Sequence, residues 1–560
     1  MHFERFLSPG LLAVLAVAGV VEAKFSLSKV TSGVDQQTGA RPARRNILDL
    51  QNDLPTWSLY IQGLTAMQKV PEDDLLSYFQ IAGIHGRPFY AWDNYEKDPA
   101  APLAGYCTHF NLLFSIWHRP YLALFEKILA GHVQTVAKEY NSQIYQDAAD
   151  NFRIPFWDWA AIPSIPDVVA APTVNINTPS GPKDVTNPLY QYSFQQFPLN
   201  DTWFPSDQDE KLSTYPATVR CPNPEGISDP AQASRGLAAN QLMKYTYAVF
   251  AQTKEYNKMA TGAVAGVSFE YIHNVVHYSV GGGGGHFMAG HMSAQTYSAF
   301  DPIFFLHHAN LDRLVALWEA INPDQFLTPA VDGSGTFTHP IGENITVSTP
   351  LTPFTTDDGV TPYNSNTARY TKFFGYSYPE IQDWLPEQTP EQLAKNVTAF
   401  VNTAYNPTMA LSARNSARDT AQNGQVREWA VSIRGLNTAL SAEGYVVDIS
   451  LNNSHVGEMV VIAPPKAAVA AGLNTTTNHV IDLSEELGKV GVDTQDVGAV
   501  VEYLKANLGS SVLKADGTTI PSTQVPSLSL IVDDIIVTLP KDITELPSYG
   551  TRTPHSDITL

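Results

Sequence analysis

The sequence predicts a mainly α-helical domain followed by a smaller β-rich domain. In the first part of the chain, apolar residues recur at intervals of three and four, as the buried face of a helix requires. From about Trp429 onward, short β-branched runs bounded by turn residues replace that pattern. The chain has 560 residues, of which 44% are hydrophobic, and this is ample for two packed cores.

The first segment has the features of a secretory signal peptide. Arg5 precedes an apolar run over residues 11–21, and Ala23 ends a small-residue cleavage pattern. The run is too short to span a bilayer, which needs about 20 residues. We therefore assign residues 1–23 to a signal peptide and expect a secreted protein without stable membrane association. The alternative is a buried or membrane-anchoring first helix. Export also agrees with the glycosylation sequons, which begin at Asn200, Asn344, Asn396, Asn452 and Asn474.

The rest of the chain divides into three parts. The first domain is placed at residues 24–405, with its clearest helical periodicity over 117–129 and 304–318. Within it, residues 162–230 are rich in Pro, Ser and Asn and are predicted to be irregular surface loop. A polar stretch at 406–427 is the predicted linker. The second domain is placed at 428–560, with strands predicted at 429–433, 445–451, 459–463 and 528–539.

Net charge disfavours a nucleic-acid-binding protein, and cysteine content excludes a disulfide-rich one. The 34 Lys and Arg against 55 Asp and Glu give a net charge of −21, which disfavours a nucleic-acid partner because such partners require a basic surface. The two cysteines, Cys107 and Cys221, allow at most one intramolecular disulfide. The fold must therefore be stabilised by a hydrophobic core and not by a disulfide scaffold.

Histidines are concentrated in two short windows. Ten of the 15 lie between His85 and His132 or between His273 and His308. His273 and His277 are four residues apart, which places both rings on one face of a helix, and His308 offers a third ligand. The first window offers a second set of three, namely His85, His109 and His118. Sites made only of imidazole suit copper, zinc, iron or nickel, and three ligands leave open positions for exogenous chemistry.

Six motifs follow one another along the chain, namely His85-Gly-Arg-Pro, Cys107-Thr-His109, Trp117-His118-Arg-Pro-Tyr, Pro155-Phe-Trp-Asp-Trp159, His273-Asn-Val-Val-His277 and Asp301-Pro-Ile-Phe-Phe-Leu-His-His308-Ala-Asn-Leu-Asp-Arg. In order and spacing they resemble the motifs of tyrosinases and polyphenol oxidases. The resemblance covers about residues 40 to 400. It implies a type-3 dicopper centre in a four-helix bundle, with two copper ions per chain. His85, His109 and His118 would bind the first copper, and His273, His277 and His308 the second.

The resemblance also implies roles for residues beside the ligands. Cys107 matches the cysteine that forms a thioether with the ring of His109, the alternative being a free thiol or a disulfide to Cys221. Glu270 matches a carboxylate that holds a water molecule, and Asn274 matches the amide that orients it. The alternative for Glu270 is a solvated helix residue.

Further resemblances concern structure and substrate preference. Asp312 and either Arg44 or Arg45 resemble a structural salt bridge. Tyr278, next to His277, occupies a position that is thought to influence substrate preference. His286 and His291 match no ligand, and the run of glycines between them and His277 is interpreted as a turn.

The implied enzyme uses O2 to hydroxylate monophenols and to oxidise o-diphenols to o-quinones, as in melanin biosynthesis. Monophenols must lose a proton first, and at pH 7 a phenol with a pKa near 10 requires about 4 kcal/mol for this. The second domain is expected to cover the site until an activating protease cuts the linker, so that the enzyme is made as a latent proenzyme. Alternatives are a catechol or o-aminophenol oxidase without monophenolase activity, and a hemocyanin-like oxygen carrier. The natural phenol and the oligomeric state are left open.

Overall fold

The structure is a computed structural model of the chain. It describes residues 24–282, 289–407, 424–438, 444–462, 464, 466–473, 475–514, 518–525 and 527–558. The predicted signal peptide, His286, the sequon residue Asn474 and residues 408–423 of the predicted linker lie outside the described residues.

The first domain is mainly helical, which confirms the predicted fold class. Its helices are α1 (Ile47–Leu50), α2 (Leu54–Gln68), α3 (Tyr78–His85), α4 (Phe114–Ala137), α5 (Gln143–Asp150), α6 (Asp167–Ala170), α7 (Pro230–Ala239), α8 (Leu242–Gln252), α9 (Tyr256–Ala260), α10 (Phe269–Gly281), α11 (Ile303–Ile321), α12 (Ser365–Ala368) and α13 (Pro390–Tyr405). Its short strands are β1 (Thr173–Thr178), β2 (Gly181–Thr186), β3 (Ala330–Val331), β4 (Asn344–Ile345), β5 (Pro350–Thr355) and β6 (Pro362–Asn364).

Helices α2, α4, α11 and α10 form the framework of the metal centre. Helix α2 packs against α4, α4 against α11, and α11 against α10. The rings of Phe125 in α4 and Phe305 in α11 stack with centroids 3.6 Å apart in the core. Ser268 begins α10, since its side-chain oxygen accepts a hydrogen bond from the backbone N–H of Tyr271. Buried aromatic contacts and a capped start therefore fix the helices that carry the second histidine set.

A buried ionic cluster ties the start of the domain to α11. Arg44 Nη1 lies 3.2 Å from Asp312 Oδ2, and Arg119 Nε lies 2.6 Å from Asp312 Oδ1. The hydroxyls of Tyr376 and Tyr378 also donate to Asp312. This confirms the predicted bridge for Arg44, whereas Arg45 pairs with Asp53 instead. With all its partners buried, Asp312 fixes the middle of α11.

The prediction of irregular loop over residues 162–230 is wrong in part. The segment contains the antiparallel hairpin of β1 and β2, in addition to helix α6. Val174 and Ile176 alternate with exposed or half-exposed residues and bury their side chains in the core. Gly181, with φ of 106°, supplies the backbone conformation that closes the hairpin. An alternating pattern with only two buried residues was too short to predict a strand in a segment rich in proline and serine.

The second domain is built on two antiparallel sheets. Its strands are β7 (Gln425–Asn437), β8 (Tyr445–Leu451), β9 (Ser454–Val461), β10 (Thr476–Asp482), β11 (Leu508–Lys514), β12 (Thr519–Pro521), β13 (Ser529–Thr538), β14 (Ser548–Tyr549) and β15 (Thr553–Pro554). One sheet has the order β10-β7-β13-β14, with β15 also on β13, and the other has the order β12-β11-β8-β9. The helices α14 (Lys466–Ala470), α15 (Ser484–Lys489) and α16 (Val497–Asn507), which the sequence pattern did not predict, join the strands.

The second domain docks on α10 and on the segments beside it. The Tyr271 hydroxyl donates to the Glu458 carbonyl oxygen at 2.5 Å, and the Asn478 N–H donates to the Gly262 carbonyl oxygen at 3.0 Å. Lys244 pairs with Asp482 at 2.8 Å. Strands β9 and β10 are thereby held beside the helix that carries His273 and His277. Among the described residues, the structure contains no helix with the length and apolar character needed to cross a membrane.

Candidate metal centre

His85 is the last residue of α3, and the chain around it is tightly packed. Ser77 begins this helix, since its hydroxyl oxygen accepts from the backbone N–H of Gln80 at 3.1 Å. A Cβ at Gly105 would overlap the carbonyl oxygen of His85, and one at Gly86 would overlap that of Thr296. Two glycines therefore allow neighbouring backbone segments to close directly against the histidine.

The rings of the first predicted set of histidines lie close together. The ring centroids of His85 and His109 are 5.2 Å apart, and each lies 5.6 Å from that of His118. His85 Nδ1 donates to the Gln295 carbonyl oxygen at 3.1 Å, and His118 Nδ1 donates to that of Phe114 at 2.7 Å. These bonds place the proton on Nδ1 and leave a lone pair on Nε2 of both rings.

The second predicted set converges on α10 and α11. His308 Nε2 lies 3.2 Å from Nε2 of His273 and 3.2 Å from Nε2 of His277. His277 Nδ1 donates to the Met292 carbonyl oxygen at 2.9 Å, and His273 Nδ1 donates to Asn274 Oδ1 at 3.0 Å. Both α10 rings therefore also present an unprotonated Nε2 toward their neighbours.

The two sets face each other across a short gap. The His118 and His308 rings stack with centroids 4.6 Å apart, and the His109 and His273 centroids are 5.6 Å apart. His307, next to His308, also reaches the second set, since its donor atoms and those of His273, His277 and His308 lie within 4.8 Å of one another. The geometry thus brings all six predicted ligands together and adds His307 as a neighbour.

The electrostatics favour neutral rings, which is the form that binds metal. Burial lowers the pKa of His118 to about 4 and that of His277 to about 3. Burial also lowers the pKa of His85 and His308 well below the usual range, and the neighbouring imidazoles add to the effect. His85 Nε2 and His118 Nε2 are buried without a hydrogen-bond partner among the described residues. Buried polar atoms are normally satisfied, so this donor set fits metal ions bound by imidazole.

Cys107 lies beside the first set as a free, buried thiol. Its Sγ and the ring nitrogens of His85 and His109 lie within 4.8 Å of one another. The Gln295 side-chain amide donates to Cys107 Sγ at 3.2 Å. Cys221 is also a free cysteine, so the structure contains neither the alternative disulfide nor a competing bond at Cys107.

Glu270 is fully buried, so the alternative of a solvated helix residue is wrong. Its Oε1 accepts from the Phe110 N–H at 2.5 Å, and its Oε2 accepts from the Thr261 hydroxyl at 2.6 Å and from the Gly262 N–H at 2.9 Å. Burial raises the pKa of Glu270 to about 7, although these three hydrogen bonds lower it. An ionised carboxylate has about four lone-pair sites, and one therefore remains.

A small cavity opens onto the histidines. It has a volume of about 10 Å³ and is lined by His85, His109, Phe110, Asn274, His277, Gln295, Ser298 and Ile462. Ile462 follows β9 and therefore comes from the second domain. Tyr278 instead lines a separate cleft with Cys221, His455 and Glu458. Sequence reasoning did not find Ile462 or Gln295, because neither belongs to a motif.

Comparison with known proteins identifies both domains. The chain matches the family model described as the common central domain of tyrosinase over residues 75–321, and that of the tyrosinase C-terminal domain over residues 428–532. Tyrosinase of Podospora anserina is 36% identical over 403 residues, which cover 67% of each chain. Polyphenol oxidase 2 of Agaricus bisporus is 34% identical over 392 residues, which cover 68% of this chain and 69% of the relative.

Solved structures share the fold over nearly the whole chain. Recombinant mushroom tyrosinase superposes with a TM-score of 0.82 at 24% identity, covering 95% of this chain and 99% of that chain. Holo-protyrosinase of Aspergillus oryzae superposes with a TM-score of 0.73 at 20% identity, covering 94% and 98%. With both family models matched and a relative 36% identical over two-thirds of its length, the chain belongs to the tyrosinase family of type-3 dicopper phenol oxidases.

Proposed function

We propose that the protein is a secreted copper oxidase that hydroxylates monophenols at the ortho position and oxidises o-diphenols to o-quinones with O2. It is held latent by its second domain. The observation that carries the proposal is the convergence of two sets of three buried histidines, four of which have their tautomer fixed by a hydrogen bond at Nδ1. Oxygen uptake over a panel of monophenols and diphenols tests it. Uptake with catechol but none with tyrosine would leave a catechol oxidase.

The histidines have the role of holding two copper ions. His85, His109 and His118 would hold one ion, and His273, His277 and His308 the other. When bound, the copper pair supplies the binding and activation of O2 for phenol oxidation. The protein contributes neutral ligands, fixed ring orientations and a site from which water is largely excluded.

Glu270 has the role of proton acceptor for monophenols. It has a free lone-pair site, a pKa near neutrality and a position one turn before His273 on α10. Asn274 lies beside the same histidine, since its Oδ1 accepts from His273 Nδ1. A water molecule held between Glu270 and Asn274 would take the phenolic proton. The oxidation of o-diphenols depends less on such a proton acceptor.

Glu270→Gln should lower tyrosine hydroxylation about 100-fold relative to catechol oxidation, because the amide cannot accept the proton. The rate of tyrosine hydroxylation in the wild-type protein should rise with pH and level off above about 7, since the base works only when Glu270 is ionised. Catechol oxidation should not share that rise. Oxygen uptake with both substrates between pH 5 and 9 measures the ratio.

Thr261→Val is the matched control for this variant. It removes one hydrogen bond to Glu270 but keeps the carboxylate, so the tyrosine-to-catechol ratio should stay near the wild-type value. In Glu270→Gln, the side-chain amide would face an N–H donor, at a cost of about 1–3 kcal/mol in the free energy of unfolding. Equal loss of both activities in Glu270→Gln, with the same loss in Thr261→Val, would make Glu270 structural.

Latency is supported by Ile462 and by the size of the cavity. Pockets for small molecules usually have volumes of about 300–1,000 Å³, whereas about 10 Å³ remains here. On this proposal the second domain keeps a phenol ring out, since its Ile462 lines the small cavity that remains at the histidines. A mushroom tyrosinase of the same fold has been crystallised in latent and active forms, with a TM-score of 0.81 at 24% identity. We place the activating cleavage between Asn406 and Gln425, because α13 ends at Tyr405 and Arg427 already belongs to β7.

Export is supported by the leader and by the sequons. Asn200, Asn344, Asn396 and Asn452 are all exposed, as acceptors of glycans must be. The amino-terminal residue of protein collected from the culture medium tests the proposed cleavage after Ala23. A chain that is retained in cells with residues 1–23 attached would contradict it.

A further inference from the structure

Gln295 connects two residues of the first histidine set through different groups. Its side-chain Nε2 donates to Cys107 Sγ at 3.2 Å, and its backbone carbonyl oxygen accepts from His85 Nδ1 at 3.1 Å. It also lines the cavity at the histidines. One residue therefore fixes the orientation of a ligand ring and contacts the sulfur beside it.

No disulfide fixes the sulfur of Cys107. Cys107 is buried, forms no disulfide and lies in the segment between α3 and α4. A cysteine side chain has three staggered positions about its Cα–Cβ bond, and only suitable ones bring Sγ against a given ring. A donor that holds the sulfur selects among them, and the Gln295 amide is such a donor.

We propose that Gln295 is a positioning residue for the covalent bond between Cys107 and His109. The inference rests on the proposed thioether. The Gln295 amide holds Sγ near the His109 ring, while its carbonyl keeps His85, the neighbouring ligand, in place. Loss of the amide leaves the backbone carbonyl intact, so a side-chain substitution acts on the sulfur and spares the bond to His85.

The reaction is an oxidation with a defined balance. The S–H bond of Cys107 and one ring C–H bond of His109 break, and an S–C bond forms. Two electrons and two protons leave the protein and reduce one O2, which is the enzyme's own co-substrate, to H2O2. No other oxidant is needed.

Gln295→Met tests the proposal, because methionine has a similar length and no N–H donor. Copper is added to metal-free protein in air, samples are quenched over time, and peptides containing residues 107 and 109 are measured by mass spectrometry. The linked peptide is lighter by about two mass units and resists thiol alkylation. We expect the half-time of bond formation to increase about fivefold or more in the variant.

Gln146→Met is the matched control. Gln146 is a half-buried glutamine on α5 whose amide donates to the Ala137 carbonyl oxygen at 2.6 Å, outside the metal centre. In Gln146→Met, the bond between Cys107 and His109 should form at the wild-type rate. Copper content, measured on every sample, shows that the variants are loaded. Gln295→Asn keeps the amide but withdraws it by one methylene, and it should also slow the reaction. It replaces Gln295→Met in the experiment if that variant does not bind copper.

The outcomes are distinct. Wild-type and Gln295→Met proteins that form the bond at the same rate would overturn the role of Gln295 and leave the thioether standing. A wild-type protein that carries copper but retains an alkylatable Cys107 would overturn the thioether itself and this inference with it. Slowing in Gln295→Met and Gln295→Asn, but not in Gln146→Met, supports the assignment.

Discussion

Replacing His308 with alanine should lower the copper content from about two ions per chain to about one. Catechol oxidation should fall more than about 100-fold, because loss of even an outer-shell partner of a metal ligand costs about 10- to 100-fold. The reason is geometric: His308 Nε2 lies 3.2 Å from Nε2 of both His273 and His277, at the centre of the second set. Metal analysis and oxygen uptake on linker-cleaved protein measure the two effects.

Two further variants control this result. His132→Ala changes a half-buried histidine on the same helix as His118 and should leave copper content and activity unchanged. His307→Ala tests the neighbouring ring, whose two nitrogens have no hydrogen-bond partner among the described residues. A protein that keeps both copper ions after His308→Ala, but loses one after His307→Ala, would assign the ligand to His307.

Cutting the linker between Asn406 and Gln425 and removing the second domain should raise catechol oxidation by up to about 1,000-fold. A tethered domain faces its site at about millimolar effective concentration, so a micromolar affinity keeps about 99.9% of sites closed. On the proposed latency, Ile462 and the small volume of the cavity, about 10 Å³, would provide the physical block. Limited proteolysis followed by separation of the fragments and oxygen uptake measures the change.

Ile462→Ala should raise the activity of the uncut chain, because it removes most of the side chain with which the second domain lines the cavity at the histidines. Val490→Ala is the control, since Val490 is an exposed aliphatic residue of the same domain and is 50% accessible. Its activity should stay at the latent level. A full-length chain already as active as the cleaved one would contradict latency, and equal effects of the two substitutions would contradict the role of Ile462.

Sequence patterns predicted the elements whose signal is local. The predicted strand at 445–451 coincides with β8, because its β-branched residues pack on both faces of the strand. Helix α4 extends beyond the predicted 117–129 by three residues at its start and by eight at its end. Helix α11 extends beyond the predicted 304–318 by one residue at its start and by three at its end. The hairpin of β1 and β2 was missed, because only Val174 and Ile176 carry its apolar pattern.

The candidate site shows where local patterns stop being sufficient. The histidines could be found because ligands at helical spacing form a pattern that is recognisable in the sequence. Gln295 could not, since it meets Cys107 from 188 residues away. Ile462 reaches the site from another domain, and the environment of Glu270 is set by donors from two other segments. Such contacts depend on the assembled fold, and the residues that make them have no characteristic spacing in the sequence.

The most direct test of the central claim is a copper titration of metal-free, linker-cleaved protein, with oxygen uptake on catechol measured at each addition. We expect little activity at low loading, an increase as doubly loaded sites form, and a maximum at about two copper ions per chain. Maximal activity at one copper ion per chain would contradict the dicopper centre. Protein that takes up two copper ions and binds O2 reversibly, but leaves catechol unchanged, would contradict the assignment as an oxidase.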